Sequence, residues 1–380
     1  MQAHPHGHAP QFDILVRGEG CVGRSLALAL GARGLRVALL GQEPDTALRE
    51  DLRTYALNAA SVSLLRELRV WDALPADAAT PVYEMQVQGD QGGAQVQFSA
   101  WQQGVSELAH IVDAQALEQA LGDALRFAPH VQRVTVPVPA ALTAFCEGRD
   151  SAGREALGVR FERHASGQRA IAARLVADRP HQGLARQWFR APDVLALLPF
   201  DRPAASHSYG LVWSLPEARV PGLMAASDAE FEQALMDASG GAAGTLRLAS
   251  GRASWPLSLA RASAVSGPGW VLLGDAAHLV HPLAGQGLNL GLADVACLVD
   301  VLARREPWRA LSEERLLRRY ARQRALPTWA IGELTDGLLR LFASEQAALQ
   351  GLRNRGIGLV DRLPPLKRWL TAQALGAGRL

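Results

Sequence analysis

The chain has 380 residues, of which 48% are hydrophobic and 20% are charged, and its formal net charge is +2. It is therefore long enough for two domains with a sizeable core. No block of basic residues interleaved with aromatic residues occurs, so we predict no nucleic-acid partner. No apolar stretch is long enough to span a bilayer, and the N-terminus lacks the charged and apolar regions of a secretory signal. The three cysteines lie in apolar sequence without paired spacing, which favours small core residues over disulfides.

The first predicted elements form a strand–turn–helix–strand unit. Residues 12–16 are β-like and lead directly into residues 18–23, whose glycines are spaced as G-x-G-x-x-G. A helix is predicted over residues 22–33 and a second strand over residues 36–40. In this context the first glycine permits the turn, the second lets a pyrophosphate approach the backbone, and the third lets the helix pack on the strand. The sequence therefore predicts a dinucleotide site at this turn.

The end of the second strand departs from the usual pattern of such units. An acidic residue is expected there to bind the adenosine ribose, but Gly41 occupies the position. Gln42 and Glu43 follow directly, and we predict that Gln42, or alternatively Glu43, makes this contact.

Two segments between the glycine motifs hold further candidate residues. Residues 51–61 place Arg53 before an amphipathic helix that Ser61 is expected to cap. A short strand and a helix are then predicted over residues 108–121, with Asp113 and Gln115 at their junction. A helix cap at Asp113 explains the same residues without any ligand.

The middle of the chain is rich in predicted strands. Residues 82–98 alternate as a hairpin does, and β-like runs follow at residues 170–177, 183–190, 194–200 and 209–214, then a helix at 228–237 and an extended stretch at 245–262. Strands clustered between two halves of a nucleotide domain indicate a separate antiparallel sheet. The predicted division is a nucleotide domain at residues 10–80, 100–165 and 265–330, a sheet domain at 81–99 and 166–264, and a C-terminal helical segment at 331–380.

A second glycine-rich turn lies towards the other end of the chain. Residues 270–273 form an apolar run that predicts a short buried strand, and Gly274 and Asp275 end it. Residues 282–287 make a loop with two glycines, and from Leu288 apolar residues recur at helical spacing. The unpaired N–H groups at the start of that helix favour an anion or an electron-rich ring edge. A tight strand-to-helix connection with incidental glycines is the alternative for this motif alone.

The C-terminal part combines basic and apolar residues. A basic amphipathic helix is predicted over residues 313–324, and Pro327 is expected to end it. Another helix is predicted over residues 328–349. Residues 351–380 are either a helix packed on the domain or a face that touches a membrane surface. We therefore expect a cytoplasmic protein, with peripheral contact at the inner membrane as the alternative.

Taken together, the two glycine motifs resemble the flavin signatures of aromatic-ring hydroxylases related to para-hydroxybenzoate hydroxylase. The second signature, GDAAH-x-x-x-P-x-x-G-Q-G-x-N, is complete at Gly274, Asp275, Ala276, Ala277, His278, Pro282, Gly285, Gln286, Gly287 and Asn289. Residues 51–61 are similar to the D-x-R-x-x-A-L-x-x-x-S segment of the ubiquinone-biosynthesis branch. Residues 147–154 resemble the family motif D-G-x-x-S-x-x-R, with Glu147 where the family has Asp. The likeness is closest to the ubiquinone-biosynthesis hydroxylases.

The resemblance implies both the fold and the chemistry. The implied fold class is α/β (α+β), in which an FAD-binding Rossmann-like βαβ domain carries an inserted antiparallel-sheet substrate domain and C-terminal helices. The cofactor is FAD, and NADPH or NADH is a transient co-substrate that reduces it. Dioxygen then adds at flavin C4a, and the resulting C4a-hydroperoxyflavin transfers an oxygen atom to an aromatic ring. Because the cofactor performs the difficult step, no metal and no Ser-His-Asp set is required, and His278 and His281 are expected to be structural.

The resemblance also implies which residues form the site. The FAD-binding residues are Gly18, Gly20, Cys21, Val22, Gly23, Gln42, Arg53, Gln115, Gly274, Asp275, Pro282, Gly285, Gln286, Gly287, Leu288 and Asn289. Pro282, Gly285, Gln286 and Gly287 are the expected catalytic set, because a helix N-terminus stabilises negative charge at the flavin pyrimidine edge. Asp275 is expected to bind the ribityl chain or ribose side of FAD.

The expected partners are a polyprenyl aromatic small molecule, a phenol intermediate of ubiquinone biosynthesis, and O2. Contact with a membrane and membership of a biosynthetic complex are further possible interactions.

Two other functions stay open. One is a related flavoprotein that acts on a soluble aromatic or a lipid substrate. The other is a non-catalytic scaffold member of the family, for which the departures at Gly41 and Glu147 and the short first domain argue.

Overall fold

The computed structural model describes residues 11–41, 51–89, 95–280, 286–326 and 328. The helices of the described residues are α1 (Cys21–Gly31), α2 (Ala59–Glu67), α3 (Ala100–Gln103), α4 (Ala114–Arg126), α5 (Ala152–Ala156), α6 (Val220–Ala225), α7 (Asp228–Ser239) and α8 (Gln286–Ala303). Residues 314–326 are helical as well. None of the described helices is both long enough and apolar enough to cross a membrane.

The strands of the described residues form three sheets. They are β1 (Phe12–Arg17), β2 (Val37–Leu40), β3 (Thr54–Leu57), β4 (Ala79–Val82), β5 (Glu84–Gln88), β6 (Gln95–Ser99), β7 (Ala109–Asp113), β8 (Val131–Val134), β9 (Ala140–Phe145), β10 (Phe161–Ala177), β11 (Leu184–Arg190), β12 (Asp193–Phe200), β13 (Ser208–Pro216), β14 (Leu246–Leu248), β15 (Ala253–Ala262), β16 (Ser266–Gly267), β17 (Trp270–Leu272) and β18 (His278–Leu279).

The first sheet has six strands in the order β16-β17-β9-β1-β2-β8, and every pair except β16–β17 is parallel. Its central strands are apolar on both faces, as parallel strands covered by helices usually are. Ile14 and Val16 of β1 and Val37 and Leu39 of β2 are fully buried. They share one hydrophobic core with residues of α1, α4 and α8. This is the predicted strand–turn–helix–strand unit, extended on both sides.

The second sheet has nine strands, with β18-β15-β10-β13-β12-β11-β5-β6 in order and β14 beside β10. Trp188, Trp213 and Phe231 lie in the core between one of its faces and α7. The predicted antiparallel sheet is correct for most pairs, but β5 pairs with β11 in parallel. The first residues of β10 and the whole of β18 belong to this sheet, because both pair with β15. The predicted division assigns them to the nucleotide domain instead. The division itself stays a prediction.

A small antiparallel sheet, β3-β7-β4, connects the two large sheets. Asp113 ends β7 and caps α4 by accepting a hydrogen bond from Ala116 N at 2.9 Å. The same carboxylate pairs with Arg174 of β10 at 2.9 Å, and both side chains are buried. The cap expected at Asp113 is therefore present, and it also anchors the second sheet.

Several predicted elements are present with small shifts in their bounds. The hairpin is β5–β6, the strand and helix of residues 108–121 are β7 and α4, and residues 314–326 match the predicted basic helix. One cap prediction was wrong. Asn58, not Ser61, caps α2, because its side chain accepts a hydrogen bond from Ser61 N at 2.9 Å. Residues 1–10, the predicted break at Pro327 and the segment 329–380 lie outside the described residues.

Candidate active site

A cavity of about 640 Å³ is lined by turns that follow strands of the six-stranded sheet and by residues of the other two sheets. The turns are the first glycine turn, residues 146–149 after β9, and the first turn of α8. The residues from the nine-stranded sheet are mainly apolar. The two glycine-rich turns, which are far apart in the sequence, therefore lie at a single site.

The first glycine turn leaves room for a ligand at one position and for none at two others. A Cβ on Gly18, which has a φ of +108°, would lie 2.3 Å from the carbonyl oxygen of Cys146. A Cβ on Gly23 would lie 1.9 Å from the carbonyl oxygen of Gly18. At Gly20, by contrast, no described atom lies within 4 Å of the Cβ position, chain neighbours aside. No described side chain caps α1 either, so its first N–H groups remain available to a diphosphate.

The second turn meets the first through Val22. Cβ atoms on Gly274 and Gly291 would lie 3.2 Å and 2.6 Å from Val22 Cγ2. These two glycines therefore let α8 and the end of β17 approach α1 closely. At Gly287 no described atom lies within 4 Å of the Cβ position, chain neighbours aside. Gly287, Leu288 and Asn289 line the cavity, so this turn exposes backbone where a flavin ring would need it.

Asp275 faces the cavity without a partner among the described residues. No described residue donates a hydrogen bond to its carboxylate or forms an ion pair with it. Burial raises the pKa of Asp275, although the more distant charges of His278 and Arg149 lower it in part. A partly buried carboxylate of this kind is stabilised by hydroxyl donors. The sugar and ribityl hydroxyls of a dinucleotide flavin fit that requirement.

Asp294 of α8 holds the loop after β17 in place. Its Oδ2 accepts a hydrogen bond from Gly274 N at 2.9 Å and lies 2.7 Å from His278 Nε2, and its Oδ1 accepts one from Arg324 Nε at 2.6 Å. Burial acts to raise the pKa of Asp294, but His278 and Arg324 outweigh it, and the pKa is lowered. His278 is thus part of a structural network, as its expected role requires.

Asn289 connects α8 to the start of α2. Its Nδ2 donates to Ala56 O at 2.7 Å, and its Oδ1 accepts from Asn58 N at 3.0 Å and from Ser61 Oγ at 2.7 Å. These protein contacts use the side-chain amide, although Asn289 was predicted to bind FAD. Asn289 lines the cavity, and its side chain fixes the segment before α2 against α8 at the cavity wall.

Arg53 lies at the cavity in an ion pair. Its Nη2 lies 2.6 Å from Asp51 Oδ2, and Glu118 is more distant at 3.7 Å. Burial acts to raise the pKa of Asp51, but the hydrogen bonds and the charge of Arg53 outweigh it, and the pKa is lowered. The guanidinium is about half exposed, so it can approach a ligand without losing this partner.

The motif at residues 147–154 forms part of the cavity wall through its first three residues. Glu147 Oε2 accepts hydrogen bonds from Ser151 Oγ at 2.6 Å and from Gly153 N at 2.8 Å, and Oε1 pairs with Arg17 at 2.8 Å. The buried Arg154 donates to Ala276 O at 3.1 Å. Glu147 therefore holds the turn before α5 and connects it to β1.

Not every predicted residue is brought to the cavity. Gln115 is exposed on α4 and is absent from the cavity wall, whereas Glu118, one turn later, lines it. Gly23 and Gly274 serve close packing and do not line the wall. Gln42, Glu43, Pro282, Gly285 and His281 lie outside the described residues, as does the side chain of Gln286.

The cavity wall also contains residues that the sequence did not indicate. Glu19 stands between two glycines of the first turn, and Gln187 lies in an apolar stretch of β11. Cys21, for which FAD binding is predicted, lines the cavity, and burial raises its pKa to about 12, so its thiol stays neutral. All three cysteines are free.

Comparisons with known proteins identify the class. An FAD binding domain model matches residues 91–335. The fold is similar to Pseudomonas aeruginosa PqsL, with a TM-score of 0.75 and 20% identity over 92% of this chain and 99% of that chain. It is also similar to Klebsiella pneumoniae HpxO complexed with FAD and uric acid, with a TM-score of 0.72 and 16% identity over 95% and 97% of the two chains. The chain thus contains an FAD-binding domain and has the para-hydroxybenzoate hydroxylase-like fold.

Relatives with a named activity identify the family to which the chain belongs. The chain is 31% identical to the ubiquinone hydroxylase UbiL of Rhodospirillum rubrum, over 97% of this chain and 90% of that protein. It is 30% identical to the 3-demethoxyubiquinol 3-hydroxylase of Escherichia coli, over 96% and 98%. The chain belongs to the ubiquinone-biosynthesis branch of the FAD-dependent aromatic hydroxylases. The predicted family, fold class and FAD cofactor are confirmed.

Proposed function

We propose that the chain hydroxylates the aromatic ring of a polyprenyl phenol intermediate of ubiquinone biosynthesis, with NAD(P)H and O2 as co-substrates. The observation that carries this proposal is the division of the cavity. Backbone turns that suit FAD form one side, and an apolar sheet face forms the other. The ubiquinone hydroxylases among the relatives support the same substrate class.

The apolar side of the cavity suits a ring that carries a hydrocarbon chain. It includes Met85, Phe98, Ala196, Leu198, Val212 and Leu257. Ala196 and Val212 are direct neighbours on adjacent strands, so they lie on the same face of the sheet. Burying prenyl groups against such a wall contributes roughly 25 cal/mol per Å² of apolar area. A small polar aromatic would leave much of this surface without a partner.

Gln187 provides a polar group within that apolar wall. It pairs with Ala196 in the sheet, so its side chain shares the cavity face, and it is only 9% exposed. No hydrogen bond joins its side-chain amide to a described residue. The amide therefore remains available to a ligand in the cavity. We infer that Gln187 hydrogen bonds to an oxygen substituent of the substrate ring and thereby orients the ring.

The other residues of the site are proposed to bind FAD. The first turn of α1 would hold the diphosphate of FAD, Asp275 would accept hydrogen bonds from its hydroxyls, and the first turn of α8 would stabilise negative charge at the flavin ring. Bound FAD supplies the redox chemistry that activates dioxygen once NAD(P)H has reduced it. One dinucleotide fingerprint serves FAD, so NAD(P)H is proposed to bind transiently in the same cleft.

Substrate-dependent turnover tests the proposed function. NAD(P)H and O2 consumption and the hydroxylated product would be measured with a prenylated phenol and with the same phenol lacking the prenyl chain. We expect stoichiometric hydroxylation of the prenylated phenol alone. Equal turnover of the two phenols would favour a soluble aromatic substrate, and FAD-loaded protein that hydroxylates neither would favour the scaffold role.

The matched variants Gln187→Met and Gln86→Met separate ring orientation from general packing, because Gln86 lies on neighbouring β5 outside the cavity wall. We expect Gln187→Met to consume NAD(P)H and O2 while yielding less hydroxylated product. Gln86→Met is expected to stay coupled. Full coupling in Gln187→Met would remove Gln187 from the proposed site.

We also propose that helix 314–326 contacts an anionic membrane surface from which a lipid-borne substrate enters. Arg315, Arg318 and Arg322 are exposed on one side of this helix, while Leu316, Leu317 and Tyr320 are buried on the other. Cosedimentation with phosphatidylcholine vesicles, with and without phosphatidylglycerol, tests the contact. Binding to the anionic vesicles should weaken with salt and in Arg315→Glu/Arg322→Glu. Equal sedimentation of the variant would contradict it.

A further inference from the structure

We propose that Glu19 supplies the carboxylate that binds the adenosine ribose of FAD, in place of the acid that usually ends the second strand of such a domain. The position at the end of β2 is Gly41, which has no side chain to offer. Glu19 is the residue between the first two glycines of the turn at residues 18–23, and it lines the cavity.

The first observation is the space above Gly41. A Cβ at that position would lie 2.0 Å from Glu19 Cδ and 2.1 Å from Glu19 Oε2. The carboxylate of Glu19 therefore occupies the place where a strand-end side chain would begin. A side chain at position 41 would collide with the Glu19 carboxylate in its present position. The glycine at position 41 and the acid at position 19 therefore depend on each other, and we call this pair of changes the exchange.

The second observation is the backbone path that brings position 19 to the strand end. Gly18 N donates a hydrogen bond to Leu40 O at 3.0 Å, which fixes the turn against the last residue of β2. The next residue, Glu19, then crosses over the end of the strand. The acid therefore reaches the strand end from the turn, with no change in the course of β2.

The third observation is the fixed orientation of the carboxylate. Arg133 of β8 donates to Glu19 Oε1 from Nε and to Oε2 from Nη2, both at 2.6 Å. Its strand neighbour is Leu39 of β2, so the guanidinium lies beside the same strand end. The Glu19 side chain is only 12% exposed. Each carboxylate oxygen has a second lone pair, which leaves two acceptors for the two hydroxyls of a ribose.

The test compares FAD with an FAD analogue that lacks the adenosine 2′-hydroxyl. Apoprotein would be titrated and flavin fluorescence followed. We expect the native chain to bind FAD about tenfold more tightly than the analogue, since one charge-assisted hydrogen bond is lost. In Glu19→Ala, FAD affinity should fall by a similar factor and both ligands should bind equally. Continued discrimination in Glu19→Ala, or none in the native chain, would overturn the proposal.

Titration with FMN, which lacks the adenosine half, separates binding from folding. FMN affinity and the unfolding temperature of the apoprotein should be the same in the native chain and Glu19→Ala. A parallel loss of FMN and FAD affinity would show that Glu19 acts through the fold and would overturn the proposal.

The exchange itself can be reversed. Gly41→Asp alone should weaken FAD binding, because its Cβ collides with the Glu19 carboxylate. Gly41→Asp combined with Glu19→Ala should recover both FAD affinity and discrimination against the deoxy analogue. A double variant that binds no better than Glu19→Ala would contradict the exchange.

Discussion

At the residue scale, two carboxylates near the second glycine turn differ in their partners. Asp294 is surrounded by His278, Arg324 and a backbone N–H, and its pKa is lowered despite complete burial. Asp275 has no such partner among the described residues, and burial raises its pKa. The sequence indicated Asp275 through its motif. It did not indicate Asp294, because the partners of Asp294 come from two separate segments, residues 274–278 and Arg324, and no local spacing reveals them.

We predict that Asp275→Asn stabilises the apoprotein at neutral pH and weakens FAD binding. The folded-state pKa of Asp275 lies above its unfolded value, so its destabilising effect is absent below about pH 4 and grows as pH rises through the folded pKa. The unfolding temperatures of the two apoproteins should therefore converge in acid and separate towards neutrality. Thermal melts across pH and FAD titrations would check both parts, and an apoprotein destabilised at neutral pH would contradict the account.

At the element scale, α1 and α8 approach each other because Gly274 and Gly291 leave space for Val22. The sequence correctly predicted both helices and the glycine turns before them. It assigned Gly274 to the cofactor, however, whereas the structure gives it a packing role. A glycine that admits a ligand and one that admits a neighbouring side chain look alike in a sequence, since only the distant partner distinguishes them.

Gly291→Ala is expected to destabilise the protein by about 1–3 kcal/mol, because its Cβ would lie 2.6 Å from Val22 Cγ2. Alanine is otherwise the better helix former by about 1 kcal/mol, so a loss of stability would be caused by the contact with Val22. Adding Val22→Ala to Gly291→Ala should recover part of the loss. Urea unfolding would measure all three chains, and a Gly291→Ala variant at least as stable as the native protein would refute the contact.

At the scale of the whole molecule, the sheets are joined by long-range contacts that the sequence could not supply. Strand content and the insertion of a second sheet were predictable from alternation and clustering. The parallel pairing of β5 with β11 was not, since it joins strands separated by β6 to β10. Nor was the buried pair of Arg174 and Asp113, in which a helix cap also serves as an ion-pair partner between sheets.

We expect Arg174→Leu to destabilise the protein by about 3–5 kcal/mol, because it leaves the buried carboxylate of Asp113 without its closest cation. Arg169→Leu is the matched control on the same strand, since Arg169 pairs with an exposed Glu217 at 3.6 Å. Its cost should be at most about 1 kcal/mol. Denaturant unfolding would compare the two, and equal costs would argue against Arg174 as the connection between the sheets.

The central claim is that the two glycine turns hold one FAD, and flavin absorbance after reconstitution of purified apoprotein tests it most directly. Gly20 and Gly287 both have open space at their Cβ positions, so Gly20→Val and Gly287→Val should fold, as judged by circular dichroism, yet fill the cavity from its two turns. We predict one bound flavin per native chain and none in either variant. A folded variant that keeps its full flavin absorbance would contradict the account.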